Sequence, residues 1–378
     1  MVKILCDSQL ANPVEAFSPI GQVILKNWRE ITPDDLAGID ALVVRTVTKV
    51  KAELLTEADE LKFVGSATAG YDHIDLDLLH ERGISFKNAA GCNKESVGDY
   101  VLSILLMSPF DELEQFRDKS IGIIGCGQTG MQVEMRAMAL GMQIFKCDPP
   151  RQRDGDKTCS ATLEEALGCD YVTFHVPLTV SGPDKTDHLL NADNVGTLKP
   201  GCTLINCSRG RVTDNAVLLE ALKKRRDLRV FLDVFEGEPQ IREEELLGLL
   251  SGATAHIAGA SIDAKRRAVA MLAPDMGEAL GKPGLQVPYY RGTDVSGIRL
   301  ADSYAVDLNL IRKLSRCIYD VRDDIVRFRD SYTGFASFDA LRLNYRMRHE
   351  MQSAVLENVR EEDQETFDYL GFSTRLRS

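Results

Sequence analysis

The chain has 378 residues, 44% hydrophobic and 27% charged, an ordinary globular composition with room for two or three domains. A net charge of −12 argues against a general binder of nucleic acid or anionic membrane, although a site needs only local positive charge to hold an anion. No run of eighteen apolar residues is present to span a membrane, and Asp7 interrupts any signal-like start. Nine scattered cysteines without a CxxC pair point to a reducing, cytoplasmic setting and to no structural metal.

Short apolar runs at 2–6, 22–25, 41–44, 62–65 and 84–86 predict strands, with helical patterns between them, as at 74–81. This β/α alternation predicts a parallel sheet, and it contains no glycine fingerprint. Residues 95–107 predict a helix, with Val97, Val101 and Leu105 on one face. Strands are then expected at 120–124, 143–146, 171–174, 203–206 and 229–233, a second doubly wound domain. Residues 260–280 are helical again and are expected to rejoin the first sheet. The nucleotide domain would then be an insertion, with a ligand cleft beside the two crossings. Beyond 285 the chain is more polar, rich in Arg and Asp, with amphipathic stretches at 303–321 and 340–356.

The 120–124 strand runs into Gly125-x-Gly127-x-x-Gly130, and Asp148 follows the next strand, eighteen residues beyond Gly130. That order suits a dinucleotide: glycines admit the pyrophosphate, a helix N-terminus faces it, and the acid accepts from a ribose hydroxyl. Asp148 disfavours a 2′-phosphate, so NAD is expected, although Arg151 and Arg153 close behind would blunt that preference. Cys126, inside the loop, reads as a small residue that fits. Arg209 follows the 203–206 strand, where its fork can hold a carboxylate; taken alone it reads rather as a surface ion pair. His256 follows a short loop, and a carboxylate beside it would raise its pKa and fix its tautomer for proton transfer. Glu236 and Glu238 both qualify as that partner. His175 ends a strand over the expected cleft, whereas His73, His80 and His188 have no ligand-like spacing.

Gly125–Gly130 with Asp148, the His-x-Pro-Leu-Thr run from His175, Asn206 to Gly210, Asp233 to Pro239 and His256 to Gly259 resemble the D-2-hydroxyacid dehydrogenase family. The runs from Val44 to Val50 and from Phe63 to His73, with Cys147-Asp148-Pro149-Pro150, extend the resemblance over nearly the whole chain. The tail, with Tyr319-Asp320-Val321-Arg322 and Phe338-Asp339, resembles the dimerisation domain of members that act on a phosphorylated four-carbon hydroxy acid.

The resemblance implies an α/β fold. Two doubly wound parallel-sheet (Rossmann/flavodoxin-like) domains would be followed by a C-terminal α+β dimerisation domain. Residues 1–95 with about 258–284 would form the substrate domain, 96–257 the NAD domain, and 285–378 the dimerisation domain. The catalytic positions would fall on Arg209, Glu238 and His256. Cofactor contacts would fall on Gly125, Gly127, Gln128, Thr129, Gly130, Asp148, Val176, Cys207, Ser208, Arg209, Asp233 and Gly259. Substrate contacts would fall on Thr46 and Thr68. Arg45 and Lys49 are candidates for the phosphate, as are Arg342, Arg346 and Arg348 reaching a partner copy. Thr46 stands where a serine is common. Ala260 stands where a substrate-touching tyrosine is usual, with Ser261 beside it as a partial replacement. The expectation is a cytoplasmic, homodimeric, NAD-dependent dehydrogenase without a metal. The alternatives are another 2-hydroxyacid dehydrogenase, for instance one acting on 3-phosphoglycerate, or a nicotinamide-sensing protein on the same fold.

Overall fold

Apolar runs of four or five residues bounded by turns make strands that are covered on both faces, and the structure, a computed structural model, builds two parallel sheets from them. Residues 1–284, 297–346 and 348–377 are described. They divide into two units, Met1–Asn93 with Ser261–Gly292, and Lys94–Ala260 with Thr293–Ser378.

The first unit holds β1 (Lys3–Asp7), α1 (Pro13–Phe17), β2 (Gln22–Lys26), β3 (Ala41–Val44), β4 (Phe63–Ser66), α2 (Leu76–Glu81) and β5 (Ser85–Asn88). Its sheet order is β2-β1-β3-β4-β5, all parallel, so the topology reverses between β1 and β3.

The second unit opens with α3 (Lys94–Leu105), apolar on most sides and buried from Ser96 to Leu105, which makes it a central helix. Then follow β6 (Ser120–Ile124), α4 (Gln128–Ala139), β7 (Gln143–Cys147), α5 (Pro149–Arg153), α6 (Leu163–Leu167), β8 (Tyr171–Phe174), β9 (Thr203–Asn206), α7 (Asn215–Lys224), β10 (Arg229–Leu232), α8 (Glu244–Leu247) and β11 (Gly252–Ala253). The parallel order is β11-β10-β9-β8-β6-β7, with the reversal between β6 and β8. The chain then re-enters the first unit as α9 (Ile262–Ala279), whose Ala268, Val269, Leu272 and Met276 pack on Phe63 and Val43.

The C-terminal part of the second unit comprises β12 (Ile298–Arg299), α10 (Leu308–Ile318), α11 (Val321–Ser331), α12 (Phe335–Leu343), β13 (Val355–Val359), α13 (Glu361–Tyr369) and β14 (Ser373–Leu376). Its three strands pair in parallel around β13. Leu356, Phe367 and Leu370 share one core with Tyr100 and Val133 of α3 and α4. Each large apolar side chain so buried contributes roughly 1.5–3 kcal/mol. The amphipathic stretch at 340–356 is not one helix. α12 stops at Leu343, and residues 348–350 run without regular structure because Arg348 and Glu350 are drawn into buried polar contacts. Of the dimerisation segment expected from 285, residues 285–296 lie outside the described residues. Among the described residues no helix is long and apolar enough to cross a membrane.

Candidate functional site

The topological switch of the second sheet places the loops after β6 and β8 against each other. Gly125 has φ +92°, and a Cβ there would lie 2.7 Å from the carbonyl carbon of His175 and 2.8 Å from a methyl of Val176. A Cβ on Gly130 would come within 2.1 Å of the Gly125 carbonyl oxygen, whereas one on Gly127 would meet nothing within 4 Å. The turn is therefore packed on the protein side and open at Gly127. α4 begins there without a side-chain cap, leaving its first N–H groups toward an anion. Gln128 is exposed and Thr129 half-buried in that first turn.

Asp148, at the carboxyl end of β7, accepts from the Cys126 N–H at 2.8 Å and the Arg151 N–H at 3.2 Å, which holds its carboxylate beside the loop. Arg151 donates to the Cys126 carbonyl at 2.7 Å and pairs with Asp156 at 2.9 Å, and Arg153 pairs with Asp184. Both arginines are held by acids or the loop carbonyl, and an acid at this place, with no unpaired cation of the two beside it, is a set that fits NAD. His175 does not reach out over the sheet. Its buried ring bonds Thr173 Oγ1 at 2.8 Å, and burial pushes its pKa down to about 3, keeping it neutral.

Buried Asn206, ending β9, shapes the next turn by accepting from Ser208 N–H (3.1 Å) and Oγ (2.8 Å) and donating to the Arg209 carbonyl (3.0 Å). Arg209 thus projects from the carboxyl end of the strand, half-buried, beside Cys207 and Ser208. Asp233, after β10, is buried and accepts from Thr254 Oγ1 (2.6 Å), Ile257 N–H (2.7 Å) and Ala258 N–H (2.9 Å). Its carbonyl accepts the His256 N–H at 2.7 Å. His256 has φ +55°, a costly conformation for a residue with a Cβ, imposed by these bonds.

His256 Nδ1 bonds Glu238 Oε1, and Glu238 Oε2 accepts the Phe235 N–H at 3.0 Å. The geometry thus separates Glu238 from Glu236, which bonds His188 instead. Burial is the largest influence on His256 and disfavours its charge, but the Glu238 carboxylate outweighs it and the pKa is raised; Arg209 nearby pushes the other way. For Glu238 burial again leads and would raise the pKa, but the imidazolium and the hydrogen bond bring it below the ordinary value. With Nδ1 on the carboxylate, Nε2 is the nitrogen left for exchange with a ligand, and the ring stays 36% exposed.

Thr46, Thr68 and Arg45 belong to the first unit. Thr46 is exposed after β3. Thr68, after β4, bonds Ser66 Oγ at 2.8 Å and the Gly70 carbonyl at 2.9 Å. Arg45 spends donors on buried Asp7 (2.6 Å) and on Gln9 (2.7 Å), across the β1/β3 switch. Lys265 of α9 is exposed, and partial desolvation of its stem with the charge of Arg45 lowers its pKa, so two cations of this unit feel each other. A lone lysine in a helix gives no sequence signal for that. Gly259 and Ala260 end the second unit's His256 loop. Among the described residues no group of three or more His, Cys, Asp or Glu is placed to hold a metal.

Residues 107–258 match the family model described as the D-isomer specific 2-hydroxyacid dehydrogenase NAD binding domain, and 293–371 match one described as a domain of unknown function. The chain is 40% identical to the erythronate-4-phosphate dehydrogenase of Aeromonas salmonicida, over 99% of this chain and 100% of that one. It is 38% identical to the enzyme of the same name from Pectobacterium carotovorum, over 100% and 99%. Among solved structures, the TT0316 protein of Thermus thermophilus superposes with a TM-score of 0.63 at 25% identity, covering 76% of this chain and 99% of that one. The Aquifex aeolicus D-lactate dehydrogenase complexed with NAD and lactic acid does so at 0.59 and 24% identity, covering 74% and 96%, a likeness of fold. The chain belongs to the erythronate-4-phosphate dehydrogenase family, a group of NAD-dependent D-2-hydroxyacid dehydrogenases.

Proposed function

We propose that the protein oxidises 4-phospho-D-erythronate to (R)-3-hydroxy-2-oxo-4-phosphooxybutanoate. The observation that carries the reading is the Glu238–His256 pair, which engages Nδ1 and leaves Nε2 for a ligand, with the Arg209 charge close enough to act on the ring. The relatives' name supplies the substrate.

In this reading Gly125, Gly127, Gln128, Thr129 and Gly130 cradle the pyrophosphate, and Asp148 accepts from the adenosine ribose. Val176, Cys207, Ser208, Asp233 and Gly259 border the nicotinamide end. NAD, when bound, accepts the hydride that C2 gives up. His256 Nε2 takes the proton of the C2 hydroxyl, and Glu238 stabilises the imidazolium that results. Arg209 holds the substrate carboxylate in two hydrogen bonds and stabilises the carbonyl oxygen as it forms. The balance is one hydroxy acid and NAD to one 2-oxo acid, NADH and a proton. Thr46, Thr68, Arg45 and Ala260 are each taken as substrate contacts.

The same reading makes the protein a cytoplasmic homodimer joined through its C-terminal segment and working in pyridoxal 5′-phosphate synthesis.

The test is formation of the corresponding 2-oxo acid by purified protein with NAD and 4-phospho-D-erythronate, 3-phospho-D-glycerate or D-lactate. A kcat/KM at least a hundred-fold higher for the four-carbon phosphate supports the reading. Preference for another acid moves the substrate and keeps the chemistry. NADH binding without turnover on any acid favours a sensor.

A further inference from the structure

The 293–371 segment, which matches a family model described as a domain of unknown function, sends the buried side chain of Arg348 to the His256 loop. Arg348 is 4% exposed. Its Nε donates to the Ala260 carbonyl at 2.9 Å, and its Nη2 donates to the carbonyls of Ala258 at 2.7 Å and Ser96 at 3.2 Å. The guanidinium lies over the Tyr319 ring, 3.8 Å from its centroid. Tyr319 Oη donates to Asp324 at 3.1 Å, and Tyr345 Oη donates to the same carboxylate at 2.5 Å. The neighbouring backbone is fastened too, with Met351 N–H on Asp99 at 2.9 Å and Glu350 accepting from Ser96 Oγ at 2.6 Å.

The loop from His256 to Ala260 is thus held from two sides by groups of opposite sign. Asp233 takes its N–H groups at Ile257 and Ala258, and Arg348 takes its carbonyls at Ala258 and Ala260. Charge-assisted bonds of this kind are stronger than neutral ones, and a planar fork fixes direction as well as distance. His256 sits at positive φ at the head of this loop, so its ring depends on where the loop lies. The chain also passes between units beside Asn93 and Ala260. Arg348 therefore joins, within one unit, carbonyls close in sequence to both crossings.

We propose that Arg348 is a positioning residue for the reaction, and that one task of the C-terminal segment is to set the His256 loop within its own chain. The proposal rests on the acid–base reading of His256. It needs no second copy of the chain.

The experiment uses the full chain carrying Arg348→Lys, which keeps the charge and loses the fork, beside His256→Asn and Leu370→Ala. Leu370 is fully buried in the same core and serves as the control for simple destabilisation. The readouts are kcat for 2-oxo acid reduction, its pH profile, the NADH Kd by fluorescence, and Tm. Arg348→Lys is expected to lower kcat ten-fold or more and to move the alkaline limb to lower pH, with the NADH Kd within two-fold. Leu370→Ala, at a matched loss of Tm, is expected to keep kcat within two-fold. The proposal is overturned if Arg348→Lys keeps kcat and the limb, or if Leu370→Ala loses as much. Should Arg348→Lys not fold, Tyr319→Leu, which removes the ring beneath the guanidinium together with its hydrogen bond to Asp324, must show the same split in milder form or the proposal falls. Full turnover by His256→Asn would instead overturn the acid–base reading itself, whatever Arg348→Lys does.

Discussion

Asp233 holds His256 through the backbone: its carbonyl accepts the His256 N–H at 2.7 Å, while its carboxylate accepts from the next two N–H groups at 2.7 and 2.9 Å. One buried acid thereby fixes three consecutive donors. Asp233→Asn replaces an acceptor with a donor and leaves at least one buried N–H unmatched, a cost of about 1–3 kcal/mol. A lowered Tm with a larger relative loss of kcat than of NADH affinity is expected. Calorimetry beside steady-state kinetics checks it.

Removing the partner of His256 has a distinct signature. Glu238→Gln keeps the shape but loses the charge that holds the imidazole pKa up. The kcat is expected to fall roughly 10²- to 10⁴-fold, the range associated with a positioned acid or base. Retention of near-native kcat would contradict the role.

The pH dependence follows from the same pair. Reduction of the 2-oxo acid needs His256 protonated, so its rate falls as pH rises through the raised His256 pKa; oxidation needs the neutral ring and gains over the same range. In Glu238→Gln the limb moves to lower pH. For stability, the raised His256 pKa contributes fully below its ordinary 6.5 and is lost as pH climbs through the folded value. The lowered Glu238 pKa contributes above its ordinary 4.5 and is lost as pH falls through the folded value. Thermal melts across pH on native protein and on Glu238→Gln check both limbs.

Asp148 is expected to separate the two nicotinamide cofactors. Asp148→Ala removes the acceptor expected for the ribose hydroxyls and relieves the repulsion of a 2′-phosphate. The KM for NAD is expected to rise about ten-fold or more, with a smaller change for NADP. An unchanged ratio of the two kcat/KM values would place the ribose elsewhere. Arg151, tied to Asp156, is not expected to take over the 2′-phosphate.

Local signals made much of this legible. The runs at 41–44, 120–124, 171–174 and 203–206 are the observed strands, because a strand covered on both faces needs a short apolar run between turns. Glycine spacing placed the turn after β6, since Gly125 must take positive φ and Gly130 has no room for a Cβ. Arg348 gave no such signal. In an Arg-rich segment it reads as a solvated charge or a residue reaching a partner copy, and its carbonyl partners lie 88, 90 and 252 residues away. For the same reason 340–356, amphipathic by pattern, does not form one helix: the buried contacts of Arg348 and Glu350 outweigh local propensity. The residue pattern alone does not separate Glu236 from Glu238; the resemblance implied Glu238, and the loop places Glu236 on His188 and Glu238 on His256.

The most direct measurement is single-turnover hydride transfer in His256→Asn with NADH and the 2-oxo acid, beside the NADH Kd. The account predicts an NADH Kd within two-fold of the native value and a transfer rate lowered at least 10²-fold. Transfer at the native rate would contradict it.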